Sequence, residues 1–349
     1  ALPISLGLCL SSKAFIDFST SGLENPLTHV LVAAFVLLYR RPPSEGRNLL
    51  YLSLVTALAV VNRMDIGVLL GPGLAAACWR VRSVRALWDV ALGFLPFVAW
   101  ELFSLVYYGF LVPNTAYAKL NTGIPLGELV ERGLWYIENS LRWDPPTLTA
   151  MGLVCAWSFF RGARGDWPLV FGALLYVLYV VRIGGDFMSG RFFSAPFFLL
   201  LCVLVGNARP SMRLAGALLV GLLLVQFGLP RSSLLSDSTY GRSKALEYNE
   251  NRISDERKKF YPSTGLLSKL LGTREAHDWE KRGRVVRDYG TDYWHIYEKD
   301  RYVVERAASG RIVTTWISIG LSGFYAGPNV YVVDALAISD PLLARLPAR

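Results

Sequence analysis

The sequence predicts a multi-pass α-helical membrane protein with a small C-terminal extracytoplasmic α/β domain. Of the 349 residues, 53% are hydrophobic and only 18% are charged. Apolar runs separated by short basic or glycine- and proline-containing links fill residues 1–230. Residues 231–349 are polar and contain no run of membrane length. We therefore predict a polytopic transmembrane domain over 1–230 and a soluble domain over 231–349.

Eight apolar segments follow a short first run at the beginning of the chain. They span about 27–39, 48–61, 66–79, 87–108, 147–160, 167–182, 192–205 and 213–229. Several are shorter than the roughly 20 residues that cross a bilayer, so we expect polar flanks in the interface or broken helices. The first run is also short and has no basic region before it. We interpret it as the outer end of a helix whose beginning is missing.

Basic residues predict the orientation in the membrane. Arginines cluster in every second connection, as Arg40, Arg41 and Arg47, then Arg80, Arg82 and Arg85, then Arg161 and Arg164, then Arg209 and Arg213. Cytoplasmic loops carry such charge, so the other connections and residues 231–349 are predicted to lie outside. One long crossing over 48–79 would put three later basic loops outside, and two helices in a hairpin are therefore preferred. Orientation also explains the net charge of +9, without a nucleic-acid partner.

The outer connections carry the residues that we predict to bind substrate. These are Glu24 in 11–26, Arg63 and Asp65 in 62–65, Asn114 and Lys119 in 109–146, and Asp186 and Arg191 in 184–191. Asp186 and Arg191 lie where two apolar segments meet. Charges at the rim of a membrane bundle are costly unless they pair or bind a polar ligand. A solvated loop with a local ion pair is the alternative interpretation.

Local sequence gives further expectations for two of these connections. Ser21 or Asn25 could cap the helix that begins near Pro26, and a place in the outer site is the alternative. Arg63 and Asp65 are two residues apart and would not face each other on a helix. We therefore expect them to contact different partners, with a solvated charged turn as the alternative.

The link at 109–146 is predicted to contain one helix. Apolar residues repeat at helical spacing from Leu126 to Leu141, which fits a helix lying on the membrane surface or one packed on the bundle. Lys119 is a mobile cation that could meet a lipid phosphate or only extend toward the interface.

Residues 231–349 are predicted to form a mixed domain. The charged stretch 250–260 fits a solvated helical face. The β-branched runs 311–320 and 330–338 predict buried strands, with a turn at 323–329 between them. Four aromatic residues that could stack on sugars, or belong to the core of this domain, are Trp279, Tyr293, Trp294 and Tyr297.

Cysteines and histidines do not point to a bound cofactor. All four cysteines lie in apolar segments, and the three histidines are scattered: Cys9, Cys78, Cys155, Cys202, His29, His277 and His295. We predict no disulfide framework and no thiolate or histidine metal site.

Taken in order, four outer motifs resemble those of bacterial GT-C glycosyltransferases. They read TSGLENPL at 20–27, NRMD at 62–65, YGFLVPNTAYAKL at 108–120 and GGDFMSGRFFSAP at 184–196. The stretch GFYAGPNVYVVDALAISDPLLARLPA at 323–348 is most similar to actinobacterial cell-wall arabinofuranosyltransferases of the AftB type. The resemblance covers nearly the whole chain, and the ordered combination is more specific than any single motif.

The resemblance implies a GT-C-like bundle in the bacterial inner membrane. The expected reaction moves a sugar, with arabinofuranose as one candidate, from a polyprenyl-phosphate donor to an extracytoplasmic cell-envelope glycan. The expected partners are that donor, the acceptor glycan and the lipid bilayer; no cofactor is expected, and a metal requirement stays open. Cations would stabilise the departing phosphate, and the three expected to contact it are Arg63, Lys119 and Arg191. Asp65 and Asp186 would orient these cations or hold sugar hydroxyls.

The catalytic carboxylate is expected outside this chain. Enzymes of this fold carry it in the first outer loop, which would precede Ala1, and the fallback candidates are Asp17, Asp65 and Asp186. The fragment alone is then expected to be inactive. The alternative function is a non-catalytic GT-C-like membrane protein for envelope or motor assembly, and the absence of an upstream acidic motif would favour it.

Overall fold

The computed structural model describes residues 1–42, 47–120, 123–161, 164–229, 232–234, 249–289, 304–306, 312–316, 319–334, 336, 339–340 and 342–346. These residues are mostly helical, as predicted. The chain divides into two compact units, Ala1–Gly109 with Pro125–Arg257 and Phe110–Ile124 with Lys258–Arg349. The boundary between residues 230 and 231 stays a prediction.

The helices before residue 230 follow the apolar segments. They are α1 (Leu2–Ser11), α2 (Lys13–Ser19), α3 (Asn25–Tyr39), α4 (Asn48–Asn62), α5 (Ile66–Val81), α6 (Val84–Gly93), α7 (Leu95–Tyr108), α8 (Asn114–Leu120), α9 (Leu126–Trp143), α10 (Pro145–Arg161), α11 (Trp167–Arg182), α12 (Ser194–Asn207) and α13 (Met212–Gly228). All except α8 belong to the first unit. The predicted separation of 48–79 into two helices is confirmed, because α4 ends at Asn62 and α5 begins at Ile66.

One predicted segment, 87–108, is not a single helix. It is divided between α6 and α7, which are bent by 47° at the break. Pro96 lies in the first turn of α7. Proline has no backbone N–H and its ring clashes with the carbonyl four residues earlier, so the α6 hydrogen-bond pattern cannot continue through it.

The core of the first unit lies between α3, α4, α5, α11 and α12. Phe35, Leu52, Leu69 and Leu199 are fully buried there. Helices α5 and α11 approach at Gly172, where a Cβ atom would lie 2.1 Å from the Leu69 carbonyl oxygen. This close packing fixes the connections at the helix ends, which carry the polar motifs.

Helix α9 packs against α11 and α10 rather than lying apart from them. Tyr136 is buried, and a Cβ atom at Gly133 would lie 2.3 Å from the Val181 carbonyl oxygen. Leu126 and Leu134 remain exposed. Of the two interpretations of the 126–141 stripe, packing on the bundle is therefore the one that the contacts support.

Length and composition give one candidate for a membrane crossing among the described helices. It is the bent pair α6 and α7, and no single described helix is both long and apolar enough.

The second unit contains α15 (Leu266–Leu270), α16 (Asp278–Tyr289), α17 (Ile319–Ala326) and three strands, and α14 (Glu256–Thr264) spans the boundary between the units. The strands are β1 (Val304–Arg306), β2 (Ile312–Trp316) and β3 (Val330–Asp334), in the order β1-β2-β3. Strand β2 pairs antiparallel with β1 and parallel with β3, with Ile312 opposite Val330. Helix α17 makes the crossover that parallel strands require.

The strands at 311–320 and 330–338 are confirmed, but they are shorter than predicted. Strand β2 ends at Trp316, and the predicted turn at 323–329 begins with the last residues of α17. Strand β3 is not uniformly buried, since Tyr331 is exposed. The predicted strand at 311–320 was too long because its last two residues, Ile319 and Gly320, belong to helix α17, which is also apolar.

The stretch 250–260 is not a solvated helical face, so that prediction is wrong. Ser254, Asp255 and Lys258 are buried, and α14 begins only at Glu256. Charged residues are usually exposed unless they are paired, and Asp255 has its partner in a distant part of the sequence.

Candidate functional site

Five predicted residues from three connections meet in one buried cluster of the first unit. Glu24 comes from the α2–α3 connection, Arg63 and Asp65 from the α4–α5 turn, and Asp186 and Arg191 from the α11–α12 connection. We call these five residues, together with Tyr176 of α11, the arginine–carboxylate cluster. The sequence placed them on one predicted face, and the helix packing brings their side chains into contact.

Arg63 lies at the centre of this cluster. Its Nε donates to Asp65 Oδ1 at 2.8 Å and its Nη2 to Asp65 Oδ2 at 2.6 Å, a bidentate pair. Nη2 also donates to the Tyr176 hydroxyl at 2.6 Å, and that hydroxyl donates to Asp65 Oδ2 at 2.5 Å. Only 9% of the Arg63 side chain is exposed. Asp65 is thus held from two directions by a cation and a phenol.

The direct pairing of Arg63 with Asp65 contradicts the prediction that they contact different partners. That prediction assumed helical spacing. Helix α4 ends at Asn62, however, and Arg63 has the extended backbone angles φ −161° and ψ 109°. An extended residue before the turn lets its side chain fold over the residue two positions later.

Glu24 joins the two arginines. Its Oε1 accepts from Arg63 Nη1 at 3.2 Å and from Arg191 Nη2 at 2.8 Å. The side-chain amide of Asn62 donates to the backbone carbonyl of Glu24 at 3.2 Å and to the Thr28 hydroxyl at 2.9 Å. These two hydrogen bonds fix the start of α3. Glu24 therefore links the first outer connection to the other two.

Side-chain capping of α3 by Ser21 or Asn25 is not observed, so that prediction is wrong. Glu24 occupies the cap position and makes no capping hydrogen bond. The side-chain amide of Asn25 instead donates to the Ser194 hydroxyl at 2.8 Å. The tertiary contact with the start of α12 replaces the local one.

The loop that carries Asp186 and Arg191 is built around tight backbone contacts. Gly185 has a φ of +70°, and a Cβ atom there would lie 2.6 Å from the Tyr136 Cβ. The Tyr136 hydroxyl donates to the Met188 carbonyl at 2.9 Å, and the Ser189 hydroxyl donates to Asn139 at 2.7 Å. Two α9 residues thus hold the loop from one side.

Arg191 pairs with two carboxylates and keeps one unused donor. Its Nη1 lies 3.3 Å from Asp186 Oδ2, and Asp186 has only 1% of its side chain exposed. The Arg191 side chain is 20% exposed, and its Nε is a buried donor with no hydrogen-bond partner in the described residues. The Phe192 ring centroid lies 4.8 Å from the Arg63 guanidinium and 6.0 Å from that of Arg191, so the ring face contacts both cations.

The charges of the cluster stabilise its ionised state. Burial raises the pKa of Glu24, but the guanidiniums of Arg191 and Arg63 outweigh it and hold that pKa below its ordinary value. Burial likewise raises the pKa of Asp65, and the Arg63 guanidinium and the Tyr176 hydrogen bond bring it below the usual range. Three carboxylates face two guanidiniums, so each arginine of the cluster has carboxylate partners within the protein.

Asp17 belongs to a second buried network of the same unit. It pairs with Lys13 of the same helix and accepts from Arg257 Nη1 at 3.3 Å. Lys13 also donates to Asp255 Oδ1 at 3.1 Å. The partners Asp255 and Arg257 were not predicted, because they lie 242 and 240 residues away along the chain from Lys13 and Asp17.

Asn114 and Lys119 lie in the second unit and are described apart from the cluster. Asn114 Oδ1 accepts from Arg345 Nη1 at 3.3 Å, and the Arg345 guanidinium stacks over Phe110 and Tyr117. The side chain of Lys119 lies outside the described residues, as do Tyr293, Trp294 and Tyr297. Trp279 contacts Phe260 and His277 edge-on.

Three members of the site were missed from the sequence. Tyr176, Tyr136 and Phe192 all lie in or beside apolar runs and read as ordinary core residues. For the two tyrosines the hydroxyl is the only signal, since a buried tyrosine usually finds a hydrogen-bond partner, and for Phe192 the sequence gives none. Within the described part of the chain, no group of three or more His, Cys, Asp or Glu side chains is arranged to hold a metal ion.

Comparison with known proteins finds two similar arabinofuranosyltransferases. The chain is 28% identical over 396 aligned residues to the terminal β-(1→2)-arabinofuranosyltransferase of Mycobacterium tuberculosis, covering 94% of this chain and 61% of that protein. It is 27% identical over 227 residues to the protein of that name from Corynebacterium glutamicum, covering 53% of this chain and 32% of that protein. The chain therefore spans less than two thirds of the length of either relative. The predicted resemblance to these enzymes is confirmed, and no family model or solved structure matches the chain.

Proposed function

We propose that this chain is part of a membrane glycosyltransferase that moves arabinofuranose from a polyprenyl-phosphate donor to a cell-envelope glycan outside the membrane. The observation that carries the proposal is the similarity of 94% of the chain to a terminal β-(1→2)-arabinofuranosyltransferase. The arginine–carboxylate cluster supports it independently, because it combines phosphate-binding and hydroxyl-binding groups in one protected location.

Exposed apolar surface supports a membrane location. Helices α7 and α13 present large side chains outward, with Val106 87%, Met212 81% and Phe227 74% exposed. Contiguous apolar surface of this kind is unusual on soluble monomers and is typical of lipid or protein contact. With basic residues in alternate connections, this fits a bundle in the bacterial inner membrane whose polar cluster faces outward.

The proposed chemistry is attack of an acceptor hydroxyl on the anomeric carbon, with lipid phosphate as the leaving group. Arg191 is the best-placed phosphate ligand of the cluster, because its side chain is 20% exposed and that of Arg63 only 9%. We assign Lys119 to the same role from its sequence position alone. Arg63 uses its donors on Asp65, Glu24 and Tyr176, so its contribution to phosphate binding acts through the orientation of its neighbours.

Carboxylates of the cluster are suited to sugar hydroxyls. Glu24, Asp65 and Asp186 offer carboxylate oxygens as acceptors next to the proposed phosphate site. Asn114 is assigned to substrate binding from its sequence position alone. Asp65 is less suited as a proton acceptor, since it pairs with Arg63 and its pKa lies below the ordinary value. A cation at hydrogen-bond distance stabilises the carboxylate and lowers its basicity.

Turnover by Arg191 variants tests the proposal. In the intact protein, Arg191→Ala should lower kcat/KM for a polyprenyl-phosphate arabinofuranose donor. The expected loss of transition-state stabilisation is about 2–4 kcal/mol, the cost of one preorganised donor. Arg191→Lys keeps the charge but loses the planar fork, and we expect an intermediate loss. The matched control is Arg209→Ala, an exposed arginine that donates to the nearby carbonyl oxygens of Val205 and Ala208. Wild-type turnover in Arg191→Ala would refute the phosphate role.

The second candidate is a non-catalytic membrane protein of the same scaffold. The observation in its favour is that both arginines of the cluster are already neutralised internally, as expected of a purely structural network. Absence of transfer by the folded intact wild type, with donor and envelope glycan supplied, would favour this candidate over the enzyme.

A further inference from the structure

Residues Asn249–Arg257, which we call the strap, pair with the loop that carries Arg191. The Ser254 amide donates to the Phe187 carbonyl at 2.6 Å, and the Ser189 amide donates to the Ser254 carbonyl at 2.9 Å. Met188 and Ser254 form a parallel β-bridge. The loop is therefore held by α9 on one side and by backbone hydrogen bonds to the strap on the other.

The strap enters this pairing in a fixed conformation. Asn249 Oδ1 accepts from the amides of Asn251 and Ile253 at 3.0 and 2.7 Å, and the Asn249 amide donates to the Ile253 carbonyl at 3.0 Å. Ile253 is buried in the core of the first unit. These contacts close a tight turn just before the bridge, so that Ser254 can pair on both sides.

A buried ion pair anchors the far end of the strap. Asp255 and Lys13 have 1% and 5% of their side chains exposed, and Lys13 Nζ lies 3.1 Å from Asp255 Oδ1. Arg257 reaches Asp17 on the same helix. Breaking a buried ion pair is strongly destabilising, so the strap cannot leave α2 without a large cost.

We propose that Lys13 and Asp255 are positioning residues for Arg191. They hold the strap, the strap holds the backbone of 187–189, and this backbone sets the distance from Arg191 to Glu24 and to a phosphate. The catalytic consequence rests on the proposed function, whereas the mechanical link does not.

Amide hydrogen exchange of the intact protein tests the mechanical link without any activity. In Asp255→Asn the amides of Ser189 and Ser254 should exchange about tenfold or more faster, because the opening of their hydrogen bonds costs less. Amides of α5 and α11 should be unchanged. Ser254→Ala is the matched control, since its hydroxyl has no partner in the described residues and its backbone pairing is kept; wild-type exchange is expected there.

A milder variant covers the case in which Asp255→Asn does not fold. Arg257→Gln loosens the strap at a side chain that is 21% exposed and leaves Asp17 paired with Lys13. It should give a smaller increase in exchange at the same two amides. Unchanged exchange at Ser189 and Ser254 in the folded Asp255→Asn, or in Arg257→Gln if only that variant folds, would overturn the proposal.

A kinetic double-mutant cycle tests the positioning role. Asp255→Asn should lower kcat/KM by about 10- to 100-fold, as expected for misplacement of a substrate-binding group. In an Arg191→Ala background it should cause almost no further loss, because the residue through which it acts is gone. Losses that simply multiply would refute positioning through Arg191. If the wild type transfers no sugar, the proposed function fails. Hydrogen exchange at Ser189 and Ser254 still tests the mechanical link between the strap and the loop.

Discussion

Replacing Arg63 with methionine should destabilise the protein by about 3 kcal/mol. Removal of one partner of a buried ion pair typically costs about 3–5 kcal/mol. The lower end applies here because Glu24 keeps Arg191 at 2.8 Å and only Asp65 loses its cation. Asp65 would retain the Tyr176 hydroxyl as a partner. Methionine keeps the apolar stem of the arginine side chain, so loss of packing along that stem contributes little.

Two further variants serve as comparisons for the loss of stability in Arg63→Met. Arg63→Lys keeps the charge but cannot bond both Asp65 oxygens, Glu24 and Tyr176 at once, and we expect a loss of about 1–2 kcal/mol. Arg209→Met replaces an exposed arginine and should stay within about 0.5 kcal/mol of wild type.

Reversible unfolding in mixed micelles, followed by circular dichroism, measures all three variants against the wild type. A loss below about 1 kcal/mol for Arg63→Met would be the value of a surface pair. It would refute the conclusion that the cluster is buried and electrostatically coupled.

Three further predictions concern the hydroxyl, the orientation and the pH dependence. Tyr176→Phe removes hydrogen bonds to two charged groups without changing charge, and unfolding should show a loss of about 1.5–3 kcal/mol; no loss would contradict the bridging role of this hydroxyl. In a variant without the four native cysteines, an impermeant thiol reagent should label Ser21→Cys but not Ser83→Cys in intact cells, both residues being exposed, and the reverse pattern would contradict the predicted orientation. Burial raises the pKa of Asp144 to about 6, above the ordinary value of about 3.9. Because the unfolded chain then loses this proton first as pH rises, stability should fall between about pH 4 and 6; Asp144→Asn should remove that part of the pH dependence, and an unchanged profile would argue against the shift.

Most helix positions and the five charged members of the cluster could be predicted from sequence. Apolar runs of 13 to 22 residues form helices in the structure. Such helices can be predicted because an apolar face can be buried against any apolar neighbour and needs no specific partner. The alternation of basic connections then put Glu24, Arg63, Asp65, Asp186 and Arg191 on one predicted face. These residues do meet in the structure.

Their actual partners could not be predicted. Arg63 turns toward Asp65 because α4 ends at Asn62 and Arg63 itself has an extended backbone. Asn25 bonds Ser194 instead of capping its helix, which depends on how α12 packs against α3. Pairing of Lys13 with Asp255 spans 242 residues, and no local pattern carries information across such a distance. Local rules predicted element types, and tertiary contacts decided which polar atoms meet.

The central claim is that the arginine–carboxylate cluster binds the phosphate of a lipid-linked sugar. Photocrosslinking tests it most directly, using the intact protein in vesicles and a polyprenyl-phosphate sugar analogue with a diazirine on its first isoprene unit. Peptide mapping should find the label on residues 184–196 and 20–27, and Arg191→Ala should reduce it. Labelling confined to residues 75–87, on the predicted cytoplasmic side, and unchanged in Arg191→Ala, would contradict the claim.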